Sequence, residues 1–138
     1  MLKRCLITDY INTLVNQPII YGENDCNILF VKIVDTHCGT NYFEQVYKKY
    51  DSIKDGIAKM KQLTGFSTAL QCVKQHAEEV TEPDDGDLIV MPRKLGSKTY
   101  YSFTVYYSGY CLIEEDGVYR MRPVSHVEYS KIYRIKEH

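Results

Sequence analysis

The dipeptide Asp25-Cys26 places a thiol at the predicted start of a strongly apolar helix, CNILFVKIV. A thiol attacks well only as a thiolate, and the unpaired N–H groups at a helix N-terminus favour that anion. A carboxylate at the preceding position can cap the helix, although its charge opposes thiolate formation slightly. Cys26 is therefore the candidate nucleophile. The other interpretation is a buried or vestigial thiol, because free cysteines are among the most buried residues.

A nucleophilic cysteine of this kind needs a histidine base and a polar residue that orients it. His37 lies at the far end of the same predicted helix, about three turns from Cys26. His76 falls in the last turn of a later helix, and His138 is the terminal residue. His126, in PVSHVEY between two predicted strands, remains as the candidate base. Because this candidate is weak, we favour the buried thiol over the nucleophile.

Helical spacing of apolar residues runs through the first half of the chain. It predicts helices at about residues 6–17, 24–38, 52–65 and 67–77. The second is apolar almost all round, which is typical of a helix buried on most sides.

After PDDG the pattern changes to the period of β-strands. Strands are expected at residues 87–91, 100–107, 110–115, 118–124 and 131–135, with a basic loop at 93–98 and a hairpin turn at 116–117. This order predicts an α+β domain spanning residues 1–138, with a helical half at about 1–80 and a strand half at about 86–138. We expect the N-terminal helices to pack on a C-terminal antiparallel meander or partial barrel.

Bulk composition argues against several classes of protein. With 138 residues and a formal net charge of −1, the chain fits one domain and has no basic footprint for nucleic acid or an anionic membrane. Its five cysteines are odd in number and form no CxxC pair, which argues against a disulfide framework and a zinc site. We therefore expect no metal, no cofactor and a reducing folding environment.

The motifs described so far resemble those of the NlpC-type papain-like cysteine peptidases. In that family an Asp-Cys pair begins the central helix, as Asp25-Cys26 does here, and a Gly-Asp step opens the first strand, similar to DDGDLIVM at Asp84–Met91. The chain is more closely similar to small phage proteins encoded among tail genes. Those share a proline to Asp-Cys segment, here Pro18–Cys26, and a closing aromatic-Arg-Ile, here Tyr133–Ile135. The resemblance implies a papain-like fold.

The sequence departs from the NlpC pattern at the base. The family histidine heads a His-x-Gly-Ile-Tyr strand, and the matching residues here are Ser102–Tyr106, so the base position is occupied by Ser102. Serine cannot act as a general base near neutral pH. The orienting position falls near Glu114 by spacing. The resemblance thus implies a nucleophile position without its base, and a degenerate active site.

Aromatic and basic residues supply candidate contact surfaces. The chain has thirteen tyrosines and no tryptophan, and tyrosine-rich surfaces suit protein contacts. Phe43 and Tyr47 lie at helical spacing, which also fits simple packing. The candidates on the strand half are Tyr100 and the basic residues Arg93, Lys94 and Lys98, which could bind an acidic partner or be a solvated loop.

Three hypotheses follow. The first is a structural or assembly component of a phage tail, made in the host cytoplasm and carried in the virion, which contacts other tail proteins, often in a symmetric ring. The second is a cysteine peptidase or amidase that cuts peptidoglycan peptides through Cys26 with His126 as base. The third is a module that binds a small ligand or peptide in the former cleft without chemistry.

Overall fold

The helices of the chain lie mainly before the sheet, as expected. A computed structural model describes residues 2–52, 55–56, 58, 62 and 69–136. Its helices are α1 (Leu2–Leu14), α2 (Cys26–Cys38), α3 (Tyr42–Val46) and α4 (Ala69–His76). The predictions for α1, α2 and α4 are confirmed with shifted ends. The helix expected at 52–65 lies mostly outside the described residues.

The strands form one six-stranded sheet. They are β1 (Ala77–Val80), β2 (Leu88–Leu95), β3 (Lys98–Tyr107), β4 (Tyr110–Glu115), β5 (Val118–Pro123) and β6 (Lys131–Ile135). Their order is β1-β6-β2-β3-β4-β5, and neighbouring strands pair antiparallel. The α+β prediction and the meander from β2 to β5 are confirmed. The sheet is open, with β1 and β5 at its edges.

The predicted basic loop at 93–98 is wrong. Arg93 and Lys94 belong to β2, Lys98 belongs to β3, and only Gly96-Ser97 turns between them. The pairing runs without a break from Leu88 opposite Val105 to Leu95 opposite Lys98. A two-residue turn with Gly96 at φ +62 matches the twist of the flanking strands, which lets the ladder continue to the tip.

The acidic residues Glu78 and Glu79 form the middle of β1. Glu78 pairs with Arg134, and Glu79 pairs with Tyr133. Both glutamates are exposed at the sheet edge. Charged side chains on a short edge strand hinder pairing with other chains, so the acidic composition is compatible with a strand here.

The two faces of the sheet differ in what covers them. The helix face packs against α2, where the Phe30 and Phe103 rings are 4.9 Å apart. Strand side chains buried on this face are Ala77, Leu88, Val90, Phe103, Val105, Leu112, Tyr119, Tyr133 and Ile135. The opposite face, called the far face below, carries a separate apolar cluster of Ile89, Met91, Cys111 and Ile132. Alternation along each strand assigns every other residue to one face.

The β5 edge is covered by the segment that joins α1 to α2. Asn16 N–H donates to the Tyr119 carbonyl (2.8 Å), and Tyr119 N–H donates to the Gln17 carbonyl (3.0 Å). Ile19 N–H donates to the Gly117 carbonyl (2.8 Å). This pairing satisfies part of the exposed edge and fixes the entry of the chain into α2.

The Gly-Asp step and the closing aromatic-Arg-Ile motif meet across the sheet. Arg134 donates from Nε to Asp87 Oδ1 (3.1 Å) and from a terminal nitrogen to Oδ2 (2.9 Å). Asp87 is 3% exposed and also accepts the Asp84 N–H (2.7 Å). This pair ties β6 to the start of β2, so both motifs have a structural role.

We expect Asp87→Ala to lower the free energy of unfolding by about 2 kcal/mol, because it removes three hydrogen bonds to a buried carboxylate. Urea denaturation measures this change. The matched control is Lys131→Ala, which removes an ion pair to Glu79 whose side chains are both about half exposed. That control should leave the unfolding midpoint unchanged. Equal effects of the two substitutions on the free energy of unfolding would contradict a structural role for the Asp87–Arg134 pair.

Candidate functional site

The start of α2 is organised around the carboxylate of Asp25, which is 3% exposed. Oδ1 accepts the N–H groups of Asn27 (2.9 Å) and Ile28 (3.4 Å), which caps the helix. Oδ1 also accepts the hydroxyl of Tyr50 (2.7 Å), and Oδ2 accepts the N–H of Gly22 (2.6 Å). The carboxylate is therefore fully used as a structural acceptor, and its buried charge lies next to the thiol.

The loop before Asp25 needs glycine at position 22. Gly22 has φ +89, and a Cβ there would lie 2.0 Å from the carbonyl oxygen of Tyr50. Its own carbonyl accepts the N–H of Lys48 (2.7 Å). Asn24 closes the loop by accepting the Ile20 N–H (2.6 Å). Loop geometry and helix capping thus account for the residues between Pro18 and Asp25-Cys26.

Cys26 is half-buried at the first turn of α2, as predicted. Burial raises the pKa of its thiol to about 12, and the charges of Asp25 and, more weakly, Glu114 act in the same direction. A hydrogen bond from the Phe103 backbone and the charge of Arg93 lower the pKa, but less. At neutral pH the thiol is therefore protonated, and its helix N-terminal position does not activate it.

The described histidines do not reach this thiol. His37 lies at the C-terminal end of α2, beside Gly86, and His76 contacts the Tyr42 hydroxyl (2.8 Å). His126 is exposed in a 3-10 turn, Val124–His126, and lines a cavity with Met91 and Ile113. Because those neighbours lie on the far face, the sheet separates His126 from Cys26. His138 lies outside the described residues.

Ser102 and Glu114 lie on opposite faces of the sheet. Ser102 pairs with Met91 on the far face, where its hydroxyl accepts a hydrogen bond from Arg93 Nε (3.2 Å). Glu114 pairs with Tyr119 and so points to the helix face, where it is exposed. The structure therefore brings Glu114 to the side of Cys26 and does not bring Ser102 there.

The strands next to Cys26 separate from each other. β3 and β4 pair only at Tyr106–Cys111 and Tyr107–Tyr110. Beyond that point Thr104 Oγ1 bridges the gap by donating to the Leu112 carbonyl (2.6 Å).

Two tyrosines contact the residues just before Cys26, and the sequence alone did not identify them as site residues. Tyr50 donates to Asp25, and Tyr119 donates to the Asn24 carbonyl (2.6 Å). Burial raises the pKa of both hydroxyls well above their usual range, with the Asp25 charge adding to the effect. Both hydroxyls are therefore neutral hydrogen-bond donors. Tyr50 is 25 residues from its acceptor along the chain, and Tyr119 is 95 residues from its acceptor.

The predicted contact residues lie in two regions. The Phe43 and Tyr47 rings stack at 4.8 Å, with Lys32 Nζ 4.5 Å from the Phe43 ring. The continuous helix that their spacing suggested ends at Val46. The second region is the β2–β3 hairpin, on which Arg93 and Lys94 are exposed. Lys98 and Tyr100 belong to its β3 strand.

The sequence profile of a family described as a domain of unknown function matches residues 4–135. The chain belongs to the DUF6950 family. No curated protein and no solved structure matches this DUF6950 chain. The matched range begins within α1 and ends with β6, so it includes nearly all of the described helices and strands.

Metal and membrane sites were predicted to be absent from this DUF6950 chain. Within residues 2–52, 55–56, 58, 62 and 69–136, no group of three His, Cys, Asp or Glu side chains is arranged to hold a metal ion. In the same part of the chain, none of the helices has the length and apolar character to cross a membrane.

We expect Gly22→Ala to lower the free energy of unfolding by more than about 3 kcal/mol, because it adds a backbone clash to an unfavourable φ. The matched control is Gly39→Ala, at φ +70 with no atom within 4 Å of the added Cβ. That control should lose only about 1 kcal/mol. Thermal or urea unfolding compares the two, and a Gly22→Ala loss no larger than that of Gly39→Ala would contradict the described loop.

Proposed function

We propose that this DUF6950 chain is a structural or assembly component of a bacteriophage tail, with an NlpC-type papain-like fold whose active site is degenerate. It acts through contacts with other tail or virion proteins, as one copy of a symmetric ring, and is made in the host cytoplasm before it enters the virion. No nucleic acid, membrane or cofactor takes part. One observation supports the absence of catalysis in this proposal: the thiol of Cys26 is protonated at neutral pH.

A working papain-type site needs a thiolate next to a base. Here burial and the Asp25 charge keep Cys26 protonated, with a pKa raised to about 12. His126, the candidate base, lies beyond the sheet on the far face. The residues of the family motifs make structural contacts instead. Asp25 caps α2, and Asp87 pairs with Arg134, so neither carboxylate needs a chemical role to explain its presence.

Two surface features support a role in protein contacts. The stacked pair of Phe43 and Tyr47 is half-buried and carries Lys32 on its ring face. The β2–β3 hairpin extends beyond the residues paired to β6, which reach only Val90, and it exposes Arg93 and Lys94. Aromatic and arginine side chains are enriched at protein interfaces. The phage assignment itself rests on the resemblance of the motifs at 18–26 and 133–135.

The alternative is a cysteine peptidase or amidase acting on peptidoglycan peptides. One observation favours it: Cys26 does occupy the N-terminus of the helix packed on β3, beside the Phe103 backbone and on the same face as Glu114. A hydrolase of this kind has an absolute need for its thiol, whereas a scaffold does not.

The test is complementation in a phage that encodes this chain. Deletion of the gene should yield particles with incomplete tails in electron micrographs, because a tail component is missing. A plasmid copy carrying Cys26→Ala should restore plaques as well as wild type does, within about twofold, because the thiol has no chemical role. Asp25→Ala is the contrasting variant and should fail to restore plaques, because it removes the helix cap and four hydrogen bonds.

Either of two results would contradict the proposal. Normal tails after deletion would exclude a tail component. Failure of Cys26→Ala, combined with clearing of purified cell wall by wild type but not by Cys26→Ala or His126→Ala, would establish the hydrolase with a relocated base.

A further inference from the structure

The far face holds a cavity that has no part in the site around Cys26. Its volume is about 310 Å³, and Met91, Ile113 and Val127 supply apolar lining. It lies where the β2–β3 hairpin and the β4–β5 hairpin separate, beyond the last β3–β4 pair at Tyr106 and Cys111. This volume is at the lower end of small-ligand sites, so it suits one small group and not a large cofactor.

Arg93 supplies a positive charge to this cavity. Its Nε donates to the hydroxyl of Ser102 (3.2 Å), which is 7% exposed and therefore a fixed acceptor. A terminal nitrogen lies 3.8 Å from Met91 Sδ, a weak contact. No carboxylate of the described residues pairs with Arg93, so its terminal N–H groups are available to a ligand.

The other arginine that lines the cavity, Arg122, is already paired with a carboxylate. Arg122 forms a bidentate pair with Glu115, through Nε (2.6 Å) and a terminal nitrogen (2.7 Å). This pair neutralises Arg122 and fixes one wall of the cavity. Glu128, at the rim, is exposed, so solvent weakens the effect of its negative charge on a ligand in the cavity. Arg93 is therefore the cation best placed to select a ligand.

We propose that this cavity binds a carboxylate attached to a small apolar group, with the carboxylate on Arg93 and the apolar group against Met91, Ile113 and Val127. The planar guanidinium matches a carboxylate, and the apolar wall rewards burial of an aliphatic side chain. Two sources offer this chemistry: the C-terminal residue of a peptide and a free small carboxylate. The site does not depend on the tail assignment, so either proposal can fail alone.

The test is titration of the ¹⁵N-labelled full chain with N-acetyl-L-leucine, followed by NMR. N-acetyl-L-leucinamide is the matched neutral probe. We expect saturable shifts at Met91, Arg93, Ile113 and Val127 with the acid and at least about tenfold weaker binding of the amide, because the charge-assisted hydrogen bonds are lost. Equal binding of acid and amide, or no saturable shifts with the acid, would overturn the proposal.

Three variants sharpen the test. Arg93→Gln should weaken binding of the acid at least about tenfold. Lys94→Gln is the matched control, since Lys94 is the next residue of β2, points to the other face and bonds Thr99 (3.0 Å), and it should leave affinity unchanged. Glu128→Gln should tighten binding by removing a repulsive charge. Unchanged affinity in Arg93→Gln, or weaker binding in Glu128→Gln, would overturn the proposal.

The same titration separates the two sources. Acetyl-Ala-Ala-Ala-Leu with a free carboxyl terminus is compared with N-acetyl-L-leucine. Tighter binding of the peptide identifies a peptide C-terminus as the ligand, and equal affinities identify a small free carboxylate. Both results support the site.

Discussion

The buried carboxylate of Asp25 is the interaction on which the rest of the site depends. It joins the first turn of α2, the glycine loop before it and the Tyr50 hydroxyl through four hydrogen bonds. A buried charge is tolerated only when such partners surround it, so the loop, the helix and the segment around Tyr50 must form together. The same charge opposes ionisation of the neighbouring thiol, so stability and thiol activation conflict at this position.

The sheet provides the second constraint, because its two faces have separate roles. The helix face packs against α2 and contains Cys26, while the far face carries its own apolar cluster, the cavity and His126. Residues one apart on a strand are thereby placed in different environments. Phe103 packs against Phe30, whereas its neighbour Ser102 binds Arg93. Chemistry that needs both Cys26 and His126 is incompatible with this arrangement.

Much of the fold follows from local sequence signals. The apolar run after Asp25 predicts α2, and Asp116-Gly117, with φ +55 and +77, predicts the β4–β5 turn. The alternation in YYSFTVYY also predicts that Ser102 and Phe103 face opposite sides. A helix covers the bulkier apolar face of a sheet, which here is the face of Phe103. The alternation therefore places Ser102 on the face away from α2, where a base could not reach Cys26.

Other features were not predictable because they depend on distant partners. β1 exists since β6 supplies its ladder, although its glutamates are poor strand formers. Tyr50 reaches Asp25 from outside the short α3 helix, which helical spacing did not indicate. The high pKa of Cys26 also comes from tertiary burial, whereas its position at a helix start alone predicts the opposite direction.

The central claim is that Cys26 is a structural thiol, and its ionisation tests that claim most directly. The chain is labelled with ¹³C at cysteine Cβ, Cys26 is assigned from the Cys26→Ser spectrum, and its shift is followed as pH rises. With the pKa raised to about 12, the signal should stay at its thiol position through neutral pH and move only above about pH 10. A transition centred below about pH 8 would show an activated thiolate and contradict the account.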